Sequence, residues 1–524
     1  MPADYSNGPR VLTLAEAARF IRVSEKTLGE MARDKRIPCQ KAGREWRFLR
    51  QALEDWLSGQ GQPRVAEAMP AYQQRELFDA RTTPAESERR TSFGDTAFAG
   101  NRREPLHRWV PWIAGFSAAF VEHVLEEMAA EPGAGVSVLD PFAGVGTTLL
   151  EGVKRGHNVL GFEINPYAAL SCHVKLHAHE YDLALLSETT HSFAEFMRAK
   201  LRSRTARPKA EPPPGFRSSK PFFSSDVERQ VLFVLDFINC QADQRLRDLL
   251  KVALGSVMVS FSNYSYEPSL STRVAAGKSE VLHADVQRIL VDKLWEMEAD
   301  IGFLQQHLTR FRHQPVANIY NRSYLLYADT VPERSIDVLI TSPPYLNNYH
   351  YIRNTRPQLY WLDLLPSAHD LKAMALESFG KFWQTVRAAP EIHLQVDIAQ
   401  IKQVVDAVRA KNPEKGVYGG TGWANYAASY FNDCDRFWEV TRALMKPGGS
   451  VVVVIGNNIL QGVEVKTDEF FAQIGELHGF KMVDSHRVRT KRTGSSILNS
   501  SVRAGKTQKR VELYEEAIHL RAPA

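Results

Sequence analysis

Hydrophobic positions follow two rhythms along this chain. Near the start, "LTLAEAARFIRVSEKTLGEMARDKRI" spaces its apolar residues for two short amphipathic helices parted by a turn, with Ser24 placed to cap the second. "CQKAGREWRF" then reads as a small hairpin around Gly43, and "LRQALEDWL" as a third helix. Farther on, continuous apolar runs replace the helical spacing. Val136–Leu139, the segment "NVLGFEI" and Val338–Ile340 each predict a short strand covered on both faces. Between them "ADVQRILVDKLWEMEADIGFLQQHLTRF" predicts one long amphipathic helix.

The breaks between these patterns divide the chain. Residues 1–58 form one small unit, and residues 59–92, rich in Gln, Pro, Ala, Arg and Glu, read as a linker. Residues 93–180 and 319–524 carry the strand-like runs, the second with an insertion at 355–425. The stretch 181–318 reads as a mostly helical insertion. At 524 residues, two to four domains are expected. Hydrophobic and charged fractions of 44% and 24% are those of a soluble globular protein. No apolar run approaches a membrane span, and the four scattered cysteines have neither metal-ligand nor disulfide spacing. A cytoplasmic location, no membrane and no metal site are therefore expected.

A net charge of +5 does not by itself announce nucleic acid, but one local run is strongly basic. Lys481–Arg510 holds nine Lys/Arg against one acid, Asp484, and its Gly, Ser and Asn content reads as a mobile loop able to track phosphates. Arg489, Lys491 and Arg492 are its candidate nucleic-acid contacts.

Two strand tips carry the chemistry. After Val136–Leu139, Asp140 closes the strand, and Gly144 and Gly146 open a turn into a helix from Thr147, so backbone N–H groups can approach a ligand closely. The next strand ends at Glu163, where an acid suits the two hydroxyls of a ribose. Strand, acid, glycine turn, helix, strand and acid together are specific where a lone Gly-x-Gly is not. A third glycine for a dinucleotide fingerprint is missing. At the other tip, prolines in Ser342-Pro343-Pro344-Tyr345 end the apolar strand and restrict Ser342 to extended backbone, leaving a stiff, donor-poor loop.

"DPFAGVGTT" with "TSPPY" resembles the S-adenosylmethionine-dependent DNA amino-methyltransferases that modify cytosine N4 or adenine N6, over about residues 93–175 and 320–520. The resemblance implies a Rossmann-like α/β sheet with helical insertions and the cofactor S-adenosyl-L-methionine. Cofactor contacts are implied at Asp140, Pro141, Phe142, Ala143, Gly144, Gly146, Thr147, Thr148 and Glu163, with Asp329 near the adenine. "NRREPLHRWVPWIAGFSAAFVEHVL" resembles the region closing over the methionine end, "LMKPGGSVVVVIGNN" a later turn and strand, and "RVELYEEAIHL" the closing strand.

In such enzymes an exocyclic amine, planar and poorly nucleophilic, donates to Ser342 Oγ and the Pro343 carbonyl, while Tyr345 stacks on a base swung out of the duplex. Ser342, Pro343, Pro344 and Tyr345 are thus the implied catalytic residues. Serine rather than aspartate at 342 favours cytosine N4 over adenine N6. The glycine turn precedes the proline loop by about two hundred residues, the reverse of many serine-bearing relatives, and residues 181–318 are the natural candidate for target recognition.

The N-terminal unit resembles excisionase-like, MerR-type winged helix-turn-helix domains. DNA contact is implied at Lys26, Thr27, Arg33, Lys41, Arg44 and Arg47. Double-stranded DNA is the expected partner, along with a cognate restriction or defence-system component. Competing readings are a methyltransferase for structured RNA and a DNA-binding regulator with an inactive catalytic domain. Pro38-Cys39-Gln40 copies the nucleophile tripeptide of cytosine C5 enzymes but lies in the wrong unit, so Cys39 reads as packing or surface. His107 reads as orienting a local turn, His173 and His177 as structural, and Trp109 and Trp112 as core.

Overall fold

A computed structural model describes residues 11–21, 23–33, 37, 39–42, 45–49, 53, 98–112, 117–128, 135–266, 270–311, 314–327, 330–346, 351–365, 368–491 and 512–524. The proposed linker 59–92, most of the third N-terminal helix, Asp329, Arg44 and Arg492 lie outside them. The chain forms two compact units, residues 1–88 and 89–524.

The first unit holds β1 (Val11–Thr13), α1 (Leu14–Phe20), α2 (Glu25–Arg33), β2 (Gln40–Ala42) and β3 (Glu45–Leu49). Thr13 and Glu16 cap α1 reciprocally: Thr13 N–H donates to Glu16 Oε2 at 2.8 Å, and Glu16 N–H to Thr13 Oγ1 at 3.3 Å. Ser24 caps α2 as expected, accepting from Thr27 N–H at 3.0 Å. The hairpin forms, with Ala42 opposite Glu45, and β1 joins its other edge to give the order β1-β3-β2. Leu12, Ala17, Leu28, Ala32 and Phe48 make the core.

The second unit is built on a seven-stranded sheet. Its strands are β4 (Ser137–Asp140), β5 (Asn158–Phe162), β8 (Ala317–Tyr320), β9 (Ile336–Thr341), β10 (Met445–Gly456), β13 (Lys481–Lys491) and β14 (Leu513–Arg521). They lie in the order β13-β14-β10-β9-β4-β5-β8. From β8 to β10 every pairing is parallel, whereas β14 runs antiparallel to both its neighbours. Alternation explains the double covering: on β9, Val338 and Ile340 face one core while Leu339 between them faces the other. This is the Rossmann-like α/β architecture that the sequence resemblance implies, with one strand, β14, reversed.

One face is covered by α3 (Ala118–Met128), α4 (Thr147–Lys154), α5 (Pro166–Leu176) and the helices of the insertion: α6 (Leu183–Arg202), α7 (Ser225–Asn239), α8 (Gln244–Val257) and α9 (Val286–Leu308). The insertion also carries a hairpin of β6 (Tyr264–Tyr266) and β7 (Leu270–Thr272). One continuous core runs from Val138 and Val159 on the sheet to Leu290 and Ile301 on α9. The other face packs on the helices Gly420–Leu444 and Thr467–Leu477.

The start of the basic run departs from its loop reading, and the rest, from residue 492, lies outside the described residues. Its first eleven residues, Lys481–Lys491, are the edge strand β13. Charge composition hid the reason: Arg487 pairs with Glu512 and Glu516 at 3.5 and 3.4 Å and lies over the Tyr514 ring, so acids on and beside β14 neutralise it. Among the described residues, no helix is long and apolar enough to cross a membrane.

Candidate active site

Parallel strands end on one side of the sheet, and the crevice above those ends is where such folds bind ligands. Here an open cleft is lined by Asp140–Val145 and Thr147 from the turn after β4, Glu163–Asn165 after β5, Arg322–Tyr324 after β8, and Ser342 and Pro344 after β9. Trp112, Tyr351 and Phe379 close its walls. The two sequence motifs, about two hundred residues apart, therefore meet in one cleft. Thr148 is buried behind it, and Pro343 and Tyr345 lie beside it rather than in its lining.

Asp140 joins the two strand tips. Its Oδ1 accepts from Thr341 Oγ1 at 2.6 Å and from Phe142 N–H at 3.0 Å. Burial raises its pKa to about 6, and the hydrogen bonds from Thr341, Thr148 and Phe142 act against that rise. Glu163 is raised further, to about 7, again by burial; its carboxylate accepts from Gly144 N–H and Asn165 N–H, each at 2.8 Å.

The glycine turn is shaped by close approach. Gly144 and Gly146 have φ of +53° and +86°, where side chains are strained. A Cβ on Gly146 would lie 2.6 Å from Cys172 Sγ, and one on Gly144 would lie 3.1 Å from the Trp112 indole nitrogen. Beneath the turn, the buried Lys175 donates to the Val145 carbonyl at 3.1 Å, and burial lowers its pKa to about 8. Nothing in the sequence marked Lys175.

The proline loop is pinned from behind. Tyr430 donates to the Pro344 carbonyl at 3.1 Å. Tyr345 is half-buried, and its hydroxyl hydrogen bonds with Ser342 and Glu515. Glu515 lies on β14, far along the chain from the loop. Burial pushes the Tyr345 pKa well above its ordinary value.

Profile and sequence comparisons agree with this architecture. A family profile described as "Helix-turn-helix domain" matches residues 11–61. The type II methyltransferase M.BsoBI of Geobacillus stearothermophilus is 24% identical over 437 residues, 76% of this chain and 83% of that protein. Over three quarters of its length this chain is therefore similar to type II methyltransferases, and its first unit to a helix-turn-helix domain. M.MvaI of Kocuria varians, 20% identical, and M.AvaI of Nostoc, 21% identical, each match 74% of this chain and 84% and 81% of their own lengths. Both are also type II methyltransferases. The crystal structure of TrmN from Thermus thermophilus matches at 10% identity and a TM-score of 0.25, covering 80% of this chain and about half, 53%, of that one. At that score the strand order, not the superposition, carries the fold.

The lining of the cleft suits S-adenosylmethionine, the cofactor that the sequence resemblance implies. Glu163 presents a half-buried carboxylate for hydroxyl groups, Gly144 leaves its stretch of the turn's backbone open to approach, and Ile164, Tyr324 and Phe379 make an apolar wall for a flat ring. Arg322, Ser323 and Tyr324 also line the cleft, while Asp329 lies outside the described residues. Because β8 already ends at Tyr320, the residues just after it reach the cleft.

Other candidates fall elsewhere. Trp109 is fully buried, whereas Trp112 lines the cleft. His107 is buried in a short turn against Glu151, and the His173 and His177 rings lie 4.3 Å apart on the far side of α5. Cys39 is partly buried, its thiol facing the Ala32 carbonyl at 3.9 Å. In the first unit, Lys26 and Arg33 lie on α2 and Lys41 on β2. Thr27 is exposed with its hydroxyl tied to Ser24, and Arg47 is half-buried, donating to the Trp46 carbonyl at 3.1 Å. Arg489 is exposed on β13, and Lys491 is that strand's last residue.

Proposed function

We propose that this methyltransferase acts on DNA, methylating the exocyclic amine of a base turned out of the duplex, with cytosine N4 as the target. The observation that carries the reading is the sharing of one cleft by Ser342 and Pro344 with the glycine turn and Glu163. The printed names of its relatives, type II methyltransferases, and the helix-turn-helix domain support DNA as the polymer.

Bound S-adenosylmethionine supplies an electrophilic sulfonium methyl. Glu163 holds the ribose hydroxyls, the Gly144–Gly146 turn accommodates the methionine end, and Ile164, Tyr324 and Phe379 hold the adenine. Ser342 Oγ and the Pro343 carbonyl accept the two N–H bonds of the target amine, drawing it from planar towards tetrahedral and localising its lone pair. Serine at 342 offers a neutral acceptor, which favours cytosine.

Nucleoside mass spectrometry of DNA from expressing cells tests this directly, with Ser342→Ala as control. N4-methylcytosine is expected. New N6-methyladenine in its place would overturn the base assignment, and a labelled methyl entering RNA but not DNA would overturn the polymer. Lys26, Thr27, Arg33, Lys41, Arg44 and Arg47, with Arg489, Lys491 and Arg492, are the proposed DNA contacts. Neutralising the last three is expected to reduce the salt slope of binding by about two to three.

A further inference from the structure

We propose that Asp300, on α9 of the helical insertion, is a positioning residue for cofactor binding, acting through Trp112. The proposal rests on the cofactor reading of the cleft. α9 contributes no residue to the cleft lining, yet it controls one wall.

Asp300 is buried and collects four donors from one short segment. Leu106 N–H and Trp109 Nε1 donate to its Oδ2 at 2.8 and 2.9 Å. Arg108 donates through Nε to Oδ2 at 3.0 Å and through Nη2 to Oδ1 at 2.6 Å. A bidentate guanidinium contact of this kind fixes orientation as well as distance. Leu106 itself is fully buried with φ of 63°, a left-handed conformation that a leucine keeps only when its surroundings impose it. The Asp300 carboxylate is what its N–H meets in that conformation.

From the opposite side, His107 Nε2 donates to Glu151 Oε1 at 2.7 Å. Glu151 lies on α4, the helix that the glycine turn opens. Burial lowers the His107 pKa, so the imidazole is neutral and donates as an N–H; the same carboxylate also holds Lys154 at 2.8 Å. Two buried carboxylates, one from the insertion and one from the cofactor half, therefore grip the turn 106–109 between them.

Three residues later, Trp112 stands against Gly144 and stacks on Tyr351, with ring centroids 6.3 Å apart and planes 12° apart. Tyr351 begins the helix that follows the proline loop. The indole thus touches both halves of the site, and the clamp at Asp300 sets where it stands. Rotation of the 106–109 turn would swing Trp112 away from the glycine turn.

The test is calorimetric titration of S-adenosylmethionine into the full chain, with steady-state kinetics alongside. Asp300→Asn, which keeps the shape but loses the charge and one acceptor, is expected to weaken cofactor binding about ten-fold, with a smaller loss in kcat at saturating cofactor. Trp112→Ala is expected to weaken it comparably, and the double variant no further, because the two act through one wall. Arg108→Ala, at a partly exposed side chain, removes two of the four donors and is expected to give about a three-fold loss; this arm decides the matter if Asp300→Asn does not fold. Wild-type affinity in folded Asp300→Asn or Arg108→Ala, or fully additive losses in the double variant, would overturn the proposal. A merely structural aspartate would lower the melting temperature and leave the affinity of the folded protein unchanged. Failure of the wild-type chain to bind the cofactor would instead overturn the underlying reading.

Discussion

The two loops at the cleft solve opposite problems with opposite means. The turn after β4 lets a ligand come close by giving up side chains, with Gly144 and Gly146 at positive φ. The loop after β9 holds two acceptor atoms at fixed angles by stiffening its backbone with Pro343 and Pro344. Their supports differ in the same way. Cys172 and Lys175 press on the glycine turn from directly beneath, from the neighbouring α5. Tyr430 and Glu515 hold the proline loop from distant parts of the chain. Closeness is secured locally and angle is secured globally. Asp140, accepting from Thr341, makes the two depend on each other.

The largest effect is expected where angle alone is lost. Ser342→Ala should lower kcat by about a thousand-fold while S-adenosylmethionine affinity changes less than two-fold, as calorimetry beside turnover would show. Asp140→Ala should damage both quantities; a change confined to one would break the proposed dependence between the loops.

Next comes closeness. Gly146→Ala meets Cys172 Sγ and strained backbone together, and should destabilise the fold by about 2–4 kcal/mol in denaturant titration. Adding Cys172→Ala should recover the steric part only, and full recovery would show that the left-handed conformation is not needed.

Glu163→Gln separates charge from shape. The carboxyl is held at about 7 against an ordinary 4.5, so between those values the folded chain keeps a proton that the unfolded chain has released. The stability contributed by this group is present below pH 4.5 and lost as pH rises to about 7. The glutamine variant should therefore match wild type near pH 4 and exceed it by about 2 kcal/mol at pH 8, after allowance for partial exposure. Cofactor affinity of the wild type should fall as pH drops below about 7, since protonated Glu163 loses an acceptor, and the variant should show a flat, weaker profile. A wild-type profile that is also flat would remove Glu163 from the ribose.

Smallest is Tyr430→Phe, which deletes one donor to the Pro344 carbonyl. About 1 kcal/mol of stability and a several-fold loss in kcat are expected, with cofactor affinity preserved. Equal loss in both would place Tyr430 under the cofactor rather than behind the angle.

Both loops were legible in the sequence because each is a local event, a strand tip followed by residues with restricted or extended φ. Their meeting also followed once the strands were taken as parallel neighbours. What stayed hidden depends on contacts between distant residues. Asp300 reaches back 194 residues to Leu106, and no periodicity along α9 distinguishes it from its neighbours. Glu515 sits in a strand that reads like any other. The basic run was taken as a loop because counting charges ignores what lies opposite, and Glu512 and Glu516 come from beyond its far end. Arg322–Tyr324 line the cleft because β8 stops at Tyr320, an end that no motif in the sequence marked.

The reversed strand β14 has a consequence for biosynthesis. It fills the gap between β10 and β13, so until residues 513–521 leave the ribosome, the apolar edge Val451–Ile455 has no partner on that side. A nascent or prematurely terminated chain therefore presents a sticky, unpaired ribbon and lacks the carboxylate that tethers Tyr345. Such fragments should be prone to self-association through that edge.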